Sequence, residues 1–167
     1  KGGSICGNKA IEYGGGIYIT EAKLVLDGGS ISNNSAKSGG GILVHEDGEV
    51  TIENGDISNN FAKNSGGGVQ GEGDAAVHMK GGSVADNKSD GSGGGFFFYY
   101  TGNASMYLTG GSILRNKSSA GGGIYWASLG TLVMTGGVIT ENHTTTYEYG
   151  KTWNSNMGGG VHVHHFD

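Results

Sequence analysis

The chain contains no proline, a single cysteine, a single arginine and no long apolar run. Without proline, every backbone N–H is free to donate, as stacked strands require. Cys6 has no second cysteine to pair with, so no internal disulfide holds the fold and cysteine usage gives no compartment. Arg115 alone is a poor supply of guanidinium for an enzyme acting on an acidic polymer. The apolar run Phe96-Phe97-Phe98-Tyr99-Tyr100 falls far short of a bilayer crossing, so no transmembrane segment is expected, and no signal peptide is recognisable. The net charge of −5 is spread over scattered acids and bases. With no basic stripe along the sequence, nucleic acid is not an expected partner.

What the chain has instead is glycine, 37 of its 167 residues, placed with a period. A Gly-Gly-Ser-Ile-type turn begins at Gly2, Gly28, Asn54, Gly81, Gly110 and Gly136, and six residues further on stand Asn8, Asn34, Asn60, Asn87, Asn116 and Asn142. The steps between these asparagines are 26, 26, 27, 29 and 26 residues. After each comes a small residue, a glycine triplet and a short apolar strand. Collagen needs glycine at every third position with abundant proline, and disorder would lack the recurring apolar residues. A period of this length marks a solenoid whose units bury their apolar faces only against one another.

Alignment of the repeats gives columns. The strand after the glycines offers Ile17, Ile42, Val69, Phe96, Ile124 and Val161, then Ile19, Val44, Gly71, Phe98, Trp126 and Val163. A second strand offers Leu24, Val50, Val77, Met106 and Leu132, then Leu26, Ile52, Met79, Leu108 and Met134. A third offers Ile5, Ile31, Ile57, Val84, Ile113 and Ile139. Period-two alternation points these inward. They predict an all-β, single-stranded parallel β-helix of about six coils, with three short strands per coil and coils about 4.8 Å apart. Residues 1–167 read as one domain with an inserted loop at 143–157. The pattern runs to both ends, so further repeats of a longer protein are expected beyond it. The asparagine column is expected at a sharp corner, where Asn tolerates left-handed backbone and its side chains can hydrogen-bond along the stack.

The stretch from Ile31 to Asn34 and on through Gly39-Gly40-Gly41-Ile42 resembles the repeat of the chlamydial polymorphic outer membrane proteins, which pairs Phe-x-x-Asn with Gly-Gly-Ala-Ile. Ile57 to Asn60 with Gly66 to Val69, and Ile113 to Asn116 with Gly121 to Ile124, repeat the theme. Ile or Val stands where that family has Phe, and a third Gly replaces Ala. Similar repeats occur in adhesin-like surface proteins of gut bacteria and archaea. The resemblance covers the whole chain. It implies a right-handed parallel β-helix in an extracellular setting, cell-surface or secreted, and carries over no catalytic residue.

In a solenoid, departures from the repeat are the informative places. The coil around Phe96 to Asn103 is lengthened, and loop 143–157 adds Tyr147, Tyr149 and Trp153 among polar residues, a mixture suited to binding. The outward positions of the first strand give Tyr18, Leu43, Gln70, Phe97, Tyr125 and His162, expected as one exposed column. Thr20, His45, Glu72, Tyr99, Ala127 and His164 form the next. The candidate ligand-binding residues are Tyr18, Phe97, Tyr99, Tyr125, Tyr147, Tyr149 and Trp153. Their aromatic strip would stack on sugars or anchor a protein, or simply stabilise the sheet through cross-strand pairs.

A non-catalytic adhesin or ligand-binding stalk, meeting a glycan or a cell-surface protein, is the reading these residues favour. The alternatives are a polysaccharide lyase or glycosidase and a plain structural spacer. Asp27 above Glu53 is the nearest carboxylate pair, with Lys80 next in the column, and reads better as a solvated ladder than as acid–base machinery. His162 and His164 share a strand face but have no evident third metal ligand, and the calcium-binding nonapeptide is absent. No cofactor or metal is expected. Thr51, Thr109, Thr131 and Thr135 are too irregular for an ice-binding array.

Overall fold

Short apolar strands joined by glycine turns can hide one face only by stacking on copies of themselves, and this chain does so in a computed structural model describing residues 2–145 and 157–164. Every strand pairing is parallel and joins a strand to its equivalent one coil away. Among the described residues there is no helix, hence none long and apolar enough to cross a membrane.

Four sheets run along the stack. Sheet 1 holds Ser4–Cys6, Ser30–Ser32, Asp56–Ser58, Ser83–Ala85, Ser112–Leu114 and Val138–Thr140. Sheet 2, which follows the asparagine corner, holds Ser35–Ser38, Phe61–Ser65, Lys88–Ser89, Lys117–Ser118 and His143–Thr144. Sheet 3 follows the glycine triplet with Ile17–Thr20, Ile42–His45, Val69–Gly71, Phe96–Phe98, Ile124–Trp126 and Val161–Val163. Sheet 4 holds Lys23–Leu26, Glu49–Ile52, Ala76–Met79, Ser105–Leu108 and Leu132–Met134.

Sheets 1, 3 and 4 are the three expected strands, in the expected registers: Ile31 lies on Ile57, Val50 on Val77, and Phe98 on Trp126. Their inward columns form one core containing Ile31, Ile57, Val77, Met106, Phe98 and Trp126. Gly71 breaks its column for a spatial reason. A Cβ there would lie 2.7 Å from the Phe98 ring, which lies tilted against Trp126 with centroids 4.7 Å apart, so the small residue makes room for the large one.

Sheet 2 is the addition. Its inward residues Ala36, Ala62, Ser89 and Ser118 are buried but too small to register as a hydrophobic column. They are small because sheet 2 packs backbone to backbone on the glycine triplets. A Cβ on Gly40 would meet the Phe61 carbonyl carbon at 2.6 Å, and one on Gly67 the Lys88 carbonyl oxygen at 2.6 Å.

The asparagine ladder closes the corner between sheets 1 and 2. From Asn34 onward each amide oxygen accepts from both the backbone N–H and the side-chain amide of the previous coil's asparagine, as Asn87 Oδ1 does from Asn60 N at 2.9 Å and Asn60 Nδ2 at 3.0 Å. From Asn34 to Asn116 each amide nitrogen donates to the next asparagine and back to a sheet 1 carbonyl, as Asn87 Nδ2 does to Asn116 Oδ1 at 3.0 Å and Ile57 O at 2.8 Å. The left-handed conformation expected of these asparagines belongs instead to the residue before each, such as Asn33 (φ 57°), Asn59 (55°) and Arg115 (54°). Turning the chain one residue early frees the ladder residue to aim its amide along the stack. Among the described residues no buried side-chain nitrogen or oxygen lacks a partner.

Candidate functional site

The departures from the repeat gather on the outer side of sheet 3, which is a trough rather than a flat face. Residues at the end of the sheet 2 segment, Ser38, Ser65, Ser92 and Ala120, run in register along one side. The second outward column of sheet 3 runs along the other. Between them the first outward column is sunk: Leu43 is fully buried, and Gln70, Phe97, Tyr125 and His162 are at least nine-tenths buried. The exposed column expected here is therefore corrected from Leu43 to His162, because the edge of sheet 2 walls it. Phe97 packs with Tyr125, Ala120 and Ala127, with Tyr99 against them.

The structure does bring the aromatic residues together. Phe97 stacks on Tyr125 at 5.3 Å, and Tyr125 on His162 at 4.8 Å, each from one coil to the next. Tyr99 lies beside Phe97 at 5.8 Å and donates its hydroxyl to Tyr100 Oη at 3.0 Å. That hydrogen bond, with burial, pushes the Tyr99 phenol up to about 12. Tyr147, Tyr149 and Trp153, with most of loop 143–157, lie outside the described residues.

At the other end of the same column the trough opens. Tyr18 is 48% exposed and Tyr13 53%, their rings 6.4 Å apart. With Leu43, His45 and Glu72 they line a groove of about 180 Å³. Its polar side is ordered by contacts along the trough: Ser65 Oγ donates to Gln70 Oε1 at 2.9 Å, and Gln70 Nε2 to Glu72 Oε1 at 2.6 Å. His45 stacks on Tyr18 at 6.3 Å and places Nε2 3.9 Å from Glu72. Sequence reasoning missed Tyr13, although a signal existed. It fills the position before the triplet that is Ser38, Ser65, Ser92 or Ala120 in other coils, so an aromatic there departs from the repeat.

Glu53 is bridged to Lys80 at 3.0 Å and Asp27 accepts from Asn54 Nδ2 at 3.1 Å, so each carboxylate has its own partner. His162 and His164 hold their rings 6.0 Å apart, and among the described residues no three His, Cys, Asp or Glu side chains converge to hold a metal ion. Thr51 is buried, which removes it from any flat outer array.

His162 instead couples stability to pH. Burial holds its imidazole below the ordinary range, against a hydrogen bond to the Met157 backbone that favours the charged form, and His164 adds a further lowering. With the folded pKa below the unfolded one, the unfolded chain takes up the proton first. The stabilisation from neutral His162 is complete above the unfolded value of about 6.5 and declines as pH falls from there to the folded pKa. Melting followed between about pH 7.5 and about pH 5 should fall more steeply for the parent than for His162→Phe, which keeps the stack on Tyr125. Equal slopes would remove His162 from the acid response.

Comparison of the chain with protein-family models, curated proteins and solved structures finds no match.

Proposed function

We propose that this chain is a non-catalytic binding segment of an extracellular, adhesin-like surface protein, and that it recognises a glycan through the groove of Tyr13, Tyr18, His45 and Glu72. The observation carrying this reading is the pairing of two half-exposed tyrosines with a carboxylate held in place by Gln70. Sugar rings offer apolar faces that stack on aromatic side chains and hydroxyls that donate to fixed acceptors. The repeat's resemblance to polymorphic outer membrane proteins supports the surface setting. The rest of the trough supplies rigidity, since its aromatics are spent on stacking with one another.

A broad glycan array probed with the parent and with Tyr13→Ala/Tyr18→Ala tests the reading. Binding by the parent should fall at least tenfold in the double variant, the loss of about 1.4 kcal/mol or more expected for removing aromatic stacking. Absence of glycan binding by the parent, or full retention in the variant, would overturn it. Hydrolysis or elimination of the bound glycan would overturn the non-catalytic part.

A further inference from the structure

The outer face of sheet 2 collects positive charge that the linear sequence disperses. Lys9, Phe61, Lys88, Lys117 and His143 occupy one outward column across successive coils, with Ser35 at the remaining position. Lys37 and Lys63 stand two residues further along their strands, on the same side. Five of the chain's ten Lys and Arg residues thus share one narrow face of a molecule whose net charge is −5. The stripe was invisible in the sequence because its members lie a full repeat apart, and only parallel stacking brings them into line. The expectation that no basic stripe exists is corrected here.

The face is shaped as well as charged. Two grooves open on it. One, of about 450 Å³, is lined by Lys9, Lys37 and Lys63 around an apolar floor of Ile11, Ala36 and Phe61. The other, of about 400 Å³, is lined by Lys88, Lys117, Arg115 and His143 with Asp86 and Asn87. Lys88 Nζ lies 5.4 Å over the Phe61 ring, between the two. Acids are present: Glu12 pairs with Lys37 at 2.6 Å, Asp90 with Lys88 at 3.1 Å, and Asp86 accepts both donors of the Arg115 fork. Among the described residues no carboxylate lies within ion-pair distance of Lys9, Lys63 or Lys117.

We propose that this face binds a linear anionic polysaccharide carrying at least one carboxylate or sulfate per disaccharide. The cation spacing argues for it. The lysines without an acid partner among the described residues, Lys9, Lys63 and Lys117, stand on alternate coils, a step of about 10 Å from the strand spacing, comparable with the length of two sugars in a chain. Duplex DNA carries a charge about every 1.7 Å and demands a denser array, which the interspersed Glu12, Asp86 and Asp90 would oppose. Lysines around Ile11 and Phe61 also suit a ligand whose charges alternate with apolar ring faces. The site lies on the outer face of sheet 2, whereas the tyrosine groove lies over sheet 3 with Tyr13 at the sheet 2 edge, and the two share no lining residue.

The test is retention on immobilised polygalacturonate and on heparin at about 0.15 M salt, with neutral dextran and a DNA duplex alongside. Two double variants with the same net charge are compared: Lys63→Gln/Lys117→Gln on sheet 2, and Lys23→Gln/Lys80→Gln on sheet 4. All four positions are exposed, so both variants should melt like the parent. The parent should bind at least one anionic glycan in a salt-dependent way and ignore dextran. The sheet 2 variant should weaken about tenfold and the sheet 4 variant less than about twofold. Tyr13→Ala/Tyr18→Ala should bind as the parent does, which separates this face from the groove. No retention on either polyanion, equal losses in the two lysine variants, or tighter binding to DNA than to both glycans would overturn the proposal.

Discussion

Asn87→Ala should cost on the order of 3–5 kcal/mol and lower the melting temperature by about 10 °C. The amide of Asn87 lies at the middle of the ladder, fully buried. Removing it leaves the backbone N–H of Asn60 without its acceptor and takes one partner each from Asn60 Nδ2 and the Ile57 carbonyl. Asn116 keeps the backbone N–H of residue 87 as a donor, so the damage runs toward the preceding coil. The same substitution at exposed Asn8, which accepts nothing from a preceding asparagine, should cost under about 1 kcal/mol. Asn87→Asp separates hydrogen bonding from volume. A carboxylate can still accept from Asn60 but turns oxygen toward Ile57 O and Asn116 Oδ1. Its pKa in the fold should therefore be raised, and the variant should regain stability as pH falls and a protonated oxygen becomes a donor. Thermal melts of the three variants across pH check this. Equal losses at Asn8 and Asn87 would mean that the ladder is decoration.

The ladder also marks how far the sequence could be read. Asparagine at a fixed period signals a corner because nothing else explains one polar residue recurring among apolar columns. Which atom it bonds, and which neighbour takes the left-handed turn, depends on where the chain goes next. The chain goes into sheet 2, whose inward residues Ala36, Ala62, Ser89 and Ser118 give no hydrophobic alternation. The three apolar columns were legible because each strand alternates between core and solvent.

Missing sheet 2 had two consequences for function, both physical. Its edge buries Phe97 and Tyr125, which sequence alternation alone places in solvent. Its outer face assembles Lys63, Lys88 and Lys117, which the sequence separates by 25 and 29 residues. Alternation tells which side of a strand a residue takes, and not whether another sheet lies on that side.

Gly94→Ala tests that packing directly, and should destabilise by about 1–3 kcal/mol or more. Gly94 has no left-handed backbone, so alanine meets no conformational strain there. The obstacle is space. The new Cβ would lie 2.5 Å from the Gly122 carbonyl oxygen and 2.6 Å from both Lys117 N and Lys117 O. All three are backbone atoms of the next coil, and no rotamer change can move them aside. Relief requires Lys117–Ser118 to lift off the glycine triplet, breaking the hydrogen bond from Lys117 N to Asn87 O at 2.8 Å. Gly3→Ala is the matched control, because a Cβ there meets nothing within 4 Å and the residue has no positive φ. It should be neutral or stabilise by about 0.4–1 kcal/mol through the unfolded chain. Hydrogen exchange locates the effect: in Gly94→Ala the amides of Lys88 and Lys117 should exchange faster than those of Val77 and Met106 in sheet 4, because a solenoid transmits damage mainly between neighbours. Uniform acceleration would mean that sheet 2 and the core open as one unit. Selective acceleration would show that the lysine face is held to the rod by glycine backbone contacts, and a variant loosened there should lose affinity for polyanions while its core still melts cooperatively.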